Sequence, residues 1–244
     1  MAHFGRDPQT KKKPDGTWVT EGDWAAESEM RLRIGANFPE HNILGEEEGL
    51  TSANGGPAVD GAPTWVLDPI DGTHNFMAGI PIWGTLVALT ENGEAVLGIC
   101  HAPALDETYE AARGGGALMN GAAIHIDPVT DMSATTVLAS GLESFEEAGL
   151  AGFYTDLARR SWRSRGFADF WGHMLVARGA AHVMAETVVN VWDYAALEPI
   201  VVEAGGRMTQ FGGAPLADGG SALTTNGVLH DEVVALARRH LQPK

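Results

Sequence analysis

The segment Trp65-Val-Leu-Asp68-Pro-Ile-Asp71-Gly-Thr73-His-Asn-Phe76 constrains this chain more than any other stretch. Its start, TWVLD, predicts a short apolar strand that stops at Pro69 and carries Asp68 at its C-terminal end. Pro69 fixes the next turn, and Asp71 returns after two intervening residues. Two carboxylates on one tight turn repel each other unless protons or a cation neutralise them. Any fold must therefore seat this turn where neutralisation is available. Oxygen-rich pairs suit Mg²⁺, which accepts one or two carboxylates together with a phosphate group. The Ile70 carbonyl lies between the two acids and could supply a further oxygen. Gly72 permits close backbone approach, and the N–H groups of Gly72 to Asn75 would form an anion seat if they open a helix. Read alone, the string is equally an Asx-rich β-turn.

Two other acidic places bear on that choice. Gly45-Glu46-Glu47-Glu48-Gly49 ends an apolar segment, and Trp192-Asp193 opens an otherwise apolar helix. Each has a plain alternative, a solvated turn for the first and a first-turn acid favoured by the helix dipole for the second. The chain carries 32 Asp and Glu against 16 Lys and Arg, a formal net charge of -16, so its surface repels a nucleic-acid backbone. A phosphorylated small molecule stays open, because bound divalent cations reverse the field of an acidic cleft. No apolar run approaches the length needed to cross a bilayer, and MAHFGRDPQTKKKPDG has no apolar stretch of signal-peptide type, so the expected location is cytoplasmic. The single cysteine, Cys100, cannot form an internal disulfide and reads as a packed residue.

The polar residues 1–16, with the Lys11-Lys12-Lys13 run, read as a loose arm and a solvated terminus. Thr20 as N-cap with Asp23 three residues on predicts a helix through WAAESEMRLRIGANF, with Trp24, Met30, Ile34 and Phe38 on a packed face. IPIWGTLVALT, EAVLGICHAP and ETYEAARG, separated by Asn92-Gly93 and Pro103, predict an antiparallel meander that GALMNGAAIHI extends. The second half alternates. TTVLAS, WRSRG, AHVMAE and SALTTNG read as strands; FEEAGLAGFYTDLARR, DFWGHMLVARGA, WDYAALEPIVVEAGG and LHDEVVALARRH read as helices. The sum is a single layered α+β domain over residues 1–244, with a soft division near 127–134.

GEEEG, WVLDPIDGTHNF and WDYAALEPIVVEAGG, in this order and spacing, resemble the inositol monophosphatase family of Mg²⁺-dependent phosphatases, and the likeness runs from Lys13 to Arg239. The resemblance implies an αβαβα sandwich, usually dimeric, with metals in a cleft between sheet and helix ends. It implies Glu46, Asp68 and the Ile70 carbonyl around one Mg²⁺, and Asp68, Asp71 and Asp193 around a second. It further implies that Asp23 accepts a hydrogen bond from Thr73, which orients the attacking water, while Glu47 and Glu48 stay outside the ligand set. It also implies a helix ahead of KPDGTWVTEGD that is expected to be missing here, where only MAHFGRDPQTKK precedes.

Within the family, SRGFADFWGHMLVARG is more similar to the inositol-phosphatase-like histidinol-phosphatases than to the inositol enzymes. That resemblance implies hydrolysis of L-histidinol phosphate in histidine biosynthesis, with inositol-1-phosphate or a broad range of esters as the alternative substrate. Gly72, Thr73, Asp169, Phe170, Trp171, Glu186 and Asp193 are then the expected substrate contacts. Asp169 would meet the substrate amine, and Phe170 and Trp171 would stand at the cleft mouth facing an imidazole, although both aromatics are equally core fillers. Glu186 matches a position that contacts a hydroxyl of inositol and is equally able to bind an ammonium group. His74, His101 and His173 are expected to be structural, and Arg163 and Arg165 are expected to be solvated or salt-bridged rather than to assist phosphate binding.

Overall fold

The computed structural model describes residues 4–5, 10–13 and 18–241. Strands β1 (Thr10–Lys12) and β2 (Trp18–Thr20) pair antiparallel and lead into α1 (Glu21–Asn37). The first half then lays down β3 (Asn42–Gly45), β4 (Gly49–Ser52), β5 (Thr64–Asp71), the short α2 (Thr73–Ala78), β6 (Gly84–Glu91), β7 (Glu94–Ala102), β8 (Glu107–Ala112), β9 (Ala117–Met119) and β10 (Ala122–Ile124). These strands form one sheet in the order β10-β9-β8-β7-β6-β5-β3-β4, antiparallel except where β3 meets β5. The second half contributes β11 (Thr136–Ala139), α3 (Leu142–Glu147), α4 (Ala151–Arg160), β12 (Arg163–Arg165), α5 (Asp169–Ala177), β13 (Val183–Val189), α6 (Val191–Tyr194), α7 (Leu197–Glu203), β14 (Arg207–Thr209), β15 (Gly220–Thr225) and α8 (His230–Arg238). Its strands lie in the order β12-β11-β13-β15-β14. The part of the turn signal at Pro14-Asp15-Gly16 lies outside the described residues.

Helix α1 packs on β5, α7 on β7 and β8, α5 on α7, β13 and β15, and α4 on β11 and α8. The result is the five-layered α+β sandwich, helix, sheet, helix, sheet, helix. Strand periodicity sorts the cores: Ala222 faces the inner helices with Met174, Ile200 and Val201, while its neighbour Leu223 joins Phe145, Phe153 and Val233 on the outer side. Cys100 is buried within the inner core, as the sequence predicts.

Several local expectations change. Helix α1 has the Thr20 N-cap and capping box, but its buried residues are Gly22, Asp23 and Glu27, while Trp24 is 44% and Leu32 69% exposed. The packed face is polar because Glu27 organises the acidic turn. Its carboxylate accepts the N–H groups of Glu47 and Glu48 at 2.8 and 3.0 Å and Arg31 Nε at 2.9 Å. The residues FEEAGLAGFYTDLARR form two helices, since Gly149 at φ +71° ends the first. WDYAALEPIVVEAGG likewise divides into α6 and α7, with Pro199 held in the first turn of α7, where its missing N–H costs nothing. The short strand β14 was not anticipated, and the lysine run is no loose arm: Thr10–Lys12 pairs with β2.

Strand β5 does not stop at Pro69. Its register against β6 steps from Asp68↔Leu86 to Asp71↔Gly84, three residues against two, so a bulge holds the proline. Alternation alone would place Asp68 and Asp71 on opposite faces; the extra residue returns them to the same one. Strand β13 repeats the device against β15, from Glu186↔Ala222 to Val189↔Gly220.

The layers meet closely at Gly98 on β7, where a Cβ would stand 2.0 Å from the Ala196 carbonyl oxygen. Gly98→Ala is therefore expected to push α7 from the sheet and cost about 2 kcal/mol or more, read as a lowered urea midpoint with an unchanged slope.

Candidate active site

The acids converge at one end of the two sheets. Glu46 follows β3, Asp68 and Asp71 flank the β5 bulge, and Asp193 stands in α6 just after β13. All four line a cleft of about 340 Å³, together with Trp18, Ile70, Gly72, Thr73, His74, Asp169, Phe170, His173, Glu186 and Trp192. Carboxylate oxygens of Asp68, Asp71 and Asp193 lie within 4.8 Å of one another. Asp68 is 2% exposed, and its Oδ1 is buried with no hydrogen-bond partner. An orphaned carboxylate oxygen on a residue grouped with two other carboxylates fits a hard divalent cation, which prefers oxygen ligands. Asp193 is oriented by its own capping box, accepting from the Asn190 N–H at 2.7 Å, and Asp71 Oδ2 accepts from the Phe170 N–H at 2.6 Å.

Glu46 sits apart from this trio, paired with Lys13 Nζ at 2.8 Å; the same ammonium reaches Glu47 at 2.7 Å. Lys13, read as part of a solvated terminus, is thus a largely buried counter-charge at the cleft. Only its place at the start of KPDGTWVTEGD could have marked it. The expected bond from Thr73 to Asp23 is replaced: the Thr73 hydroxyl donates to the Ile70 carbonyl at 3.0 Å, and Asp23 Oδ2 accepts from Thr20 N–H and Oγ1–H at 2.8 and 2.6 Å. Asp23 Oδ1 is buried and without a partner. Gly72, at φ +80°, caps α2; a Cβ there would stand 3.1 Å from the Ile82 carbonyl oxygen and 3.5 Å from Asp169 Oδ2.

The residues expected to meet a substrate are also placed differently from the sequence reading. Asp169 and Glu186 do face the cleft, and the Asp169 N–H donates to Glu186 Oε1 at 3.0 Å. Asp169 adopts φ +55° and accepts from Asn75 Nδ2 at 3.1 Å. Phe170 borders the cleft but is 1% exposed and belongs to the inner core. Trp171 is not part of the lining; it packs against Phe167 at 5.1 Å between ring centres. A helical register explains this: Phe170 and His173, three residues apart on α5, share the face that borders the cleft, and Trp171 stands on another. The aromatic walls are instead Trp18 and Trp192, which sequence reasoning passed over although Trp192 adjoins Asp193. Arg163 lies over the Trp162 ring and Arg165 bonds the Ser164 carbonyl, both on the exposed β12.

The sequence profile of the inositol monophosphatase family matches residues 2–242. The chain belongs to the inositol monophosphatase family. It is similar to a protein named histidinol-phosphatase from Mycobacterium tuberculosis, 41% identical over 93% of this chain and 87% of that one. A protein of the same name from Streptomyces coelicolor is 39% identical over 93% and 86%. Among solved structures, a Thermotoga maritima IMPase superposes with a TM-score of 0.85 at 33% identity, covering 98% of this chain and 91% of the other.

Burial in this phosphatase raises the acids well out of their usual range. Desolvation and the charge of Asp71 push Asp68 well up; desolvation, then Asp169 and Asp193, do the same to Asp71. Desolvation lifts Asp193 to about 7, and desolvation with the Glu186 charge lifts Asp169 to about 7. Between the ordinary carboxylate value of 3.8 and about 7 these acids thus bind more protons in the folded chain than in the unfolded one, while His230, lowered by burial to about 4, acts the other way. The stability that these acids contribute falls as pH rises through that window. A bound divalent cation removes the need for those protons. In EDTA the melting temperature should drop between pH 5 and pH 7.5, and excess Mg²⁺ should restore most of the drop. A chelated protein equally stable at both pH values would contradict this electrostatic picture.

Proposed function

We propose that this phosphatase is Mg²⁺-dependent and converts L-histidinol phosphate and water to L-histidinol and phosphate, a step of histidine biosynthesis. The observation that carries the substrate is the second acidic pair, Asp169 and Glu186, facing the cleft beside the Asp68, Asp71 and Asp193 group. The similarity to proteins named histidinol-phosphatase supports it.

In this reading Asp68, Asp71 and Asp193 hold one cation, and Glu46, Asp68 and the Ile70 carbonyl hold a second. Bound there, Mg²⁺ would supply electrostatic stabilisation of the phosphoryl oxygens and a lower pKa for water. The chain's own residues do the rest. Thr73 orients the attacking water, and Asp23 Oδ1, buried without a partner, is the acceptor for the threonine hydroxyl once the Ile70 carbonyl turns to other use. Gly72 keeps the first turn of α2 open to the phosphate, since a side chain there would crowd both the Ile82 carbonyl and Asp169. Asp169 and Glu186 receive the substrate ammonium, and Trp192 or Trp18 offers a flat face to the imidazole, in place of Trp171.

Asp68→Asn and Asp193→Asn are expected to lower turnover at least about 100-fold by weakening transition-state stabilisation; folded variants with near wild-type turnover across Mg²⁺ concentrations would refute the ligand assignment. Wild-type kcat/KM for histidinol phosphate should exceed that for inositol-1-phosphate at least about 100-fold, since each 1.4 kcal/mol of differential contact is tenfold. Asp169→Asn keeps a residue that tolerates positive φ and should narrow the gap chiefly by impairing histidinol phosphate. Equal wild-type efficiencies, measured at fixed Mg²⁺, would overturn the substrate.

A further inference from the structure

His173 was expected to be structural, yet it stands in a buried chain of hydrogen bonds that ends at the cleft. On one side, His173 Nδ1 lies 2.7 Å from Thr224 Oγ1; on the other, His173 Nε2 lies 2.9 Å from Glu186 Oε2. Thr224 on β15 is fully buried, and His173 on α5 is 1% exposed. Glu186 on β13 keeps 14% of its side chain open, so it alone of the three presents an atom group to the cleft in quantity.

The donor directions follow from the inventory of the groups. A carboxylate oxygen accepts, so in this pair His173 Nε2 carries the proton. The Thr224 hydroxyl has no other hydrogen bond among the described residues. If it donates to Nδ1, all three groups are satisfied and the imidazole needs no charge. If Nδ1 carried the proton instead, the hydroxyl hydrogen would be left without an acceptor inside the core, at real cost. The tautomer is assigned by this network. The other Glu186 oxygen, Oε1, accepts the Asp169 N–H at 3.0 Å, so the carboxylate is gripped at both ends.

We infer that His173, held in its Nε2–H tautomer by Thr224, is a positioning residue that fixes the Glu186 carboxylate as an acceptor for the substrate's cationic end. The inference rests on the reading that this end is an ammonium group met by Glu186. Neither Thr224 nor His173 touches the reacting phosphate in this scheme. Their effect is confined to how well Glu186 is preoriented, which belongs to binding of the alcohol portion. A carboxylate free to rotate would lose rotamer entropy at each binding event, and its lone pairs would no longer be directed by the protein.

The test uses Thr224→Val, which keeps the buried shape and removes the hydroxyl, and Thr224→Ser, which restores a hydroxyl. With Mg²⁺ saturating, Thr224→Val should raise KM for histidinol phosphate about tenfold while kcat stays within about twofold. KM for 4-nitrophenyl phosphate, which has no cationic group, should be unchanged, and Thr224→Ser should return most of the loss. Equal losses against both esters would show a merely structural role, and an unchanged KM would show none; either overturns the proposal. Independently of substrate, ¹⁵N chemical shifts of the wild-type His173 ring should report protonation at Nε2 and an unprotonated Nδ1. An Nδ1–H tautomer or an imidazolium would overturn the inference even if the valine variant did not fold. A wild-type enzyme with no preference for histidinol phosphate would instead overturn the substrate reading alone, because the ring assignment is read without any ester.

Discussion

The mutual repulsion of carboxylates held out of water is the constraint around which this molecule is arranged. Asp68 sits inside the protein with an oxygen that meets no donor, next to Asp71 and Asp193, and with Glu46 and Asp23 close enough to add to the same field. Uncompensated, such a cluster is costly. The surrounding structure deals with it by supplying fixed donors to the carboxylates in and behind the cleft. Glu27 is satisfied by two backbone N–H groups and Arg31, Asp71 by Phe170, Asp193 by Asn190, and Glu46 by Lys13. Of the carboxylate oxygens, Asp23 Oδ1 and Asp68 Oδ1 remain buried without a donor, and Asp68 lines the cleft.

The same logic explains why α1 breaks the amphipathic rule. A surface helix ordinarily buries an apolar stripe, but this one buries Asp23 and Glu27 and leaves Trp24 and Leu32 largely open. Its task is to hold the Glu46–Glu48 turn from behind. Gly45 belongs to that contact, since a Cβ there would collide with the Glu27 carboxylate at 2.1 Å. The helix is thus anchored by directional bonds to a turn, whereas α5 and α7 are anchored by area.

Much of this was readable from residues in sequence. The meander and the second-half alternation carry local signatures, because period-2 patterns and turn residues act over short distances, and the Asp68–Asp71 turn does too, whereas Glu46 and Asp193 are bland by themselves and draw attention only through the family resemblance. What escaped was set by tertiary context. Pro69 reads as a strand stop, and only the pairing with β6 shows a bulge. Trp171 reads as a cleft residue, and only the rotation of α5 sends it against Phe167. Lys13 looks like one more solvated lysine until β1 and β2 pair and bring it to Glu46. Thr224 has no sequence signal at all; its significance comes from a strand crossing beside a helix 51 residues away in the chain.

The cleft draws on both halves of the chain: Glu46, Asp68 and Asp71 come with the first sheet, Asp169, Glu186 and Asp193 with the second. Phe170 ties them directly, since its N–H reaches Asp71 across 99 positions. Neither sheet by itself gathers the carboxylate trio. The first half meets the repulsion among Glu46, Asp68 and Asp71 on its own, and docking of the second half adds Asp193 to it. The complete trio that could hold a cation exists only when both halves are docked, so cation uptake would report on the assembled layers.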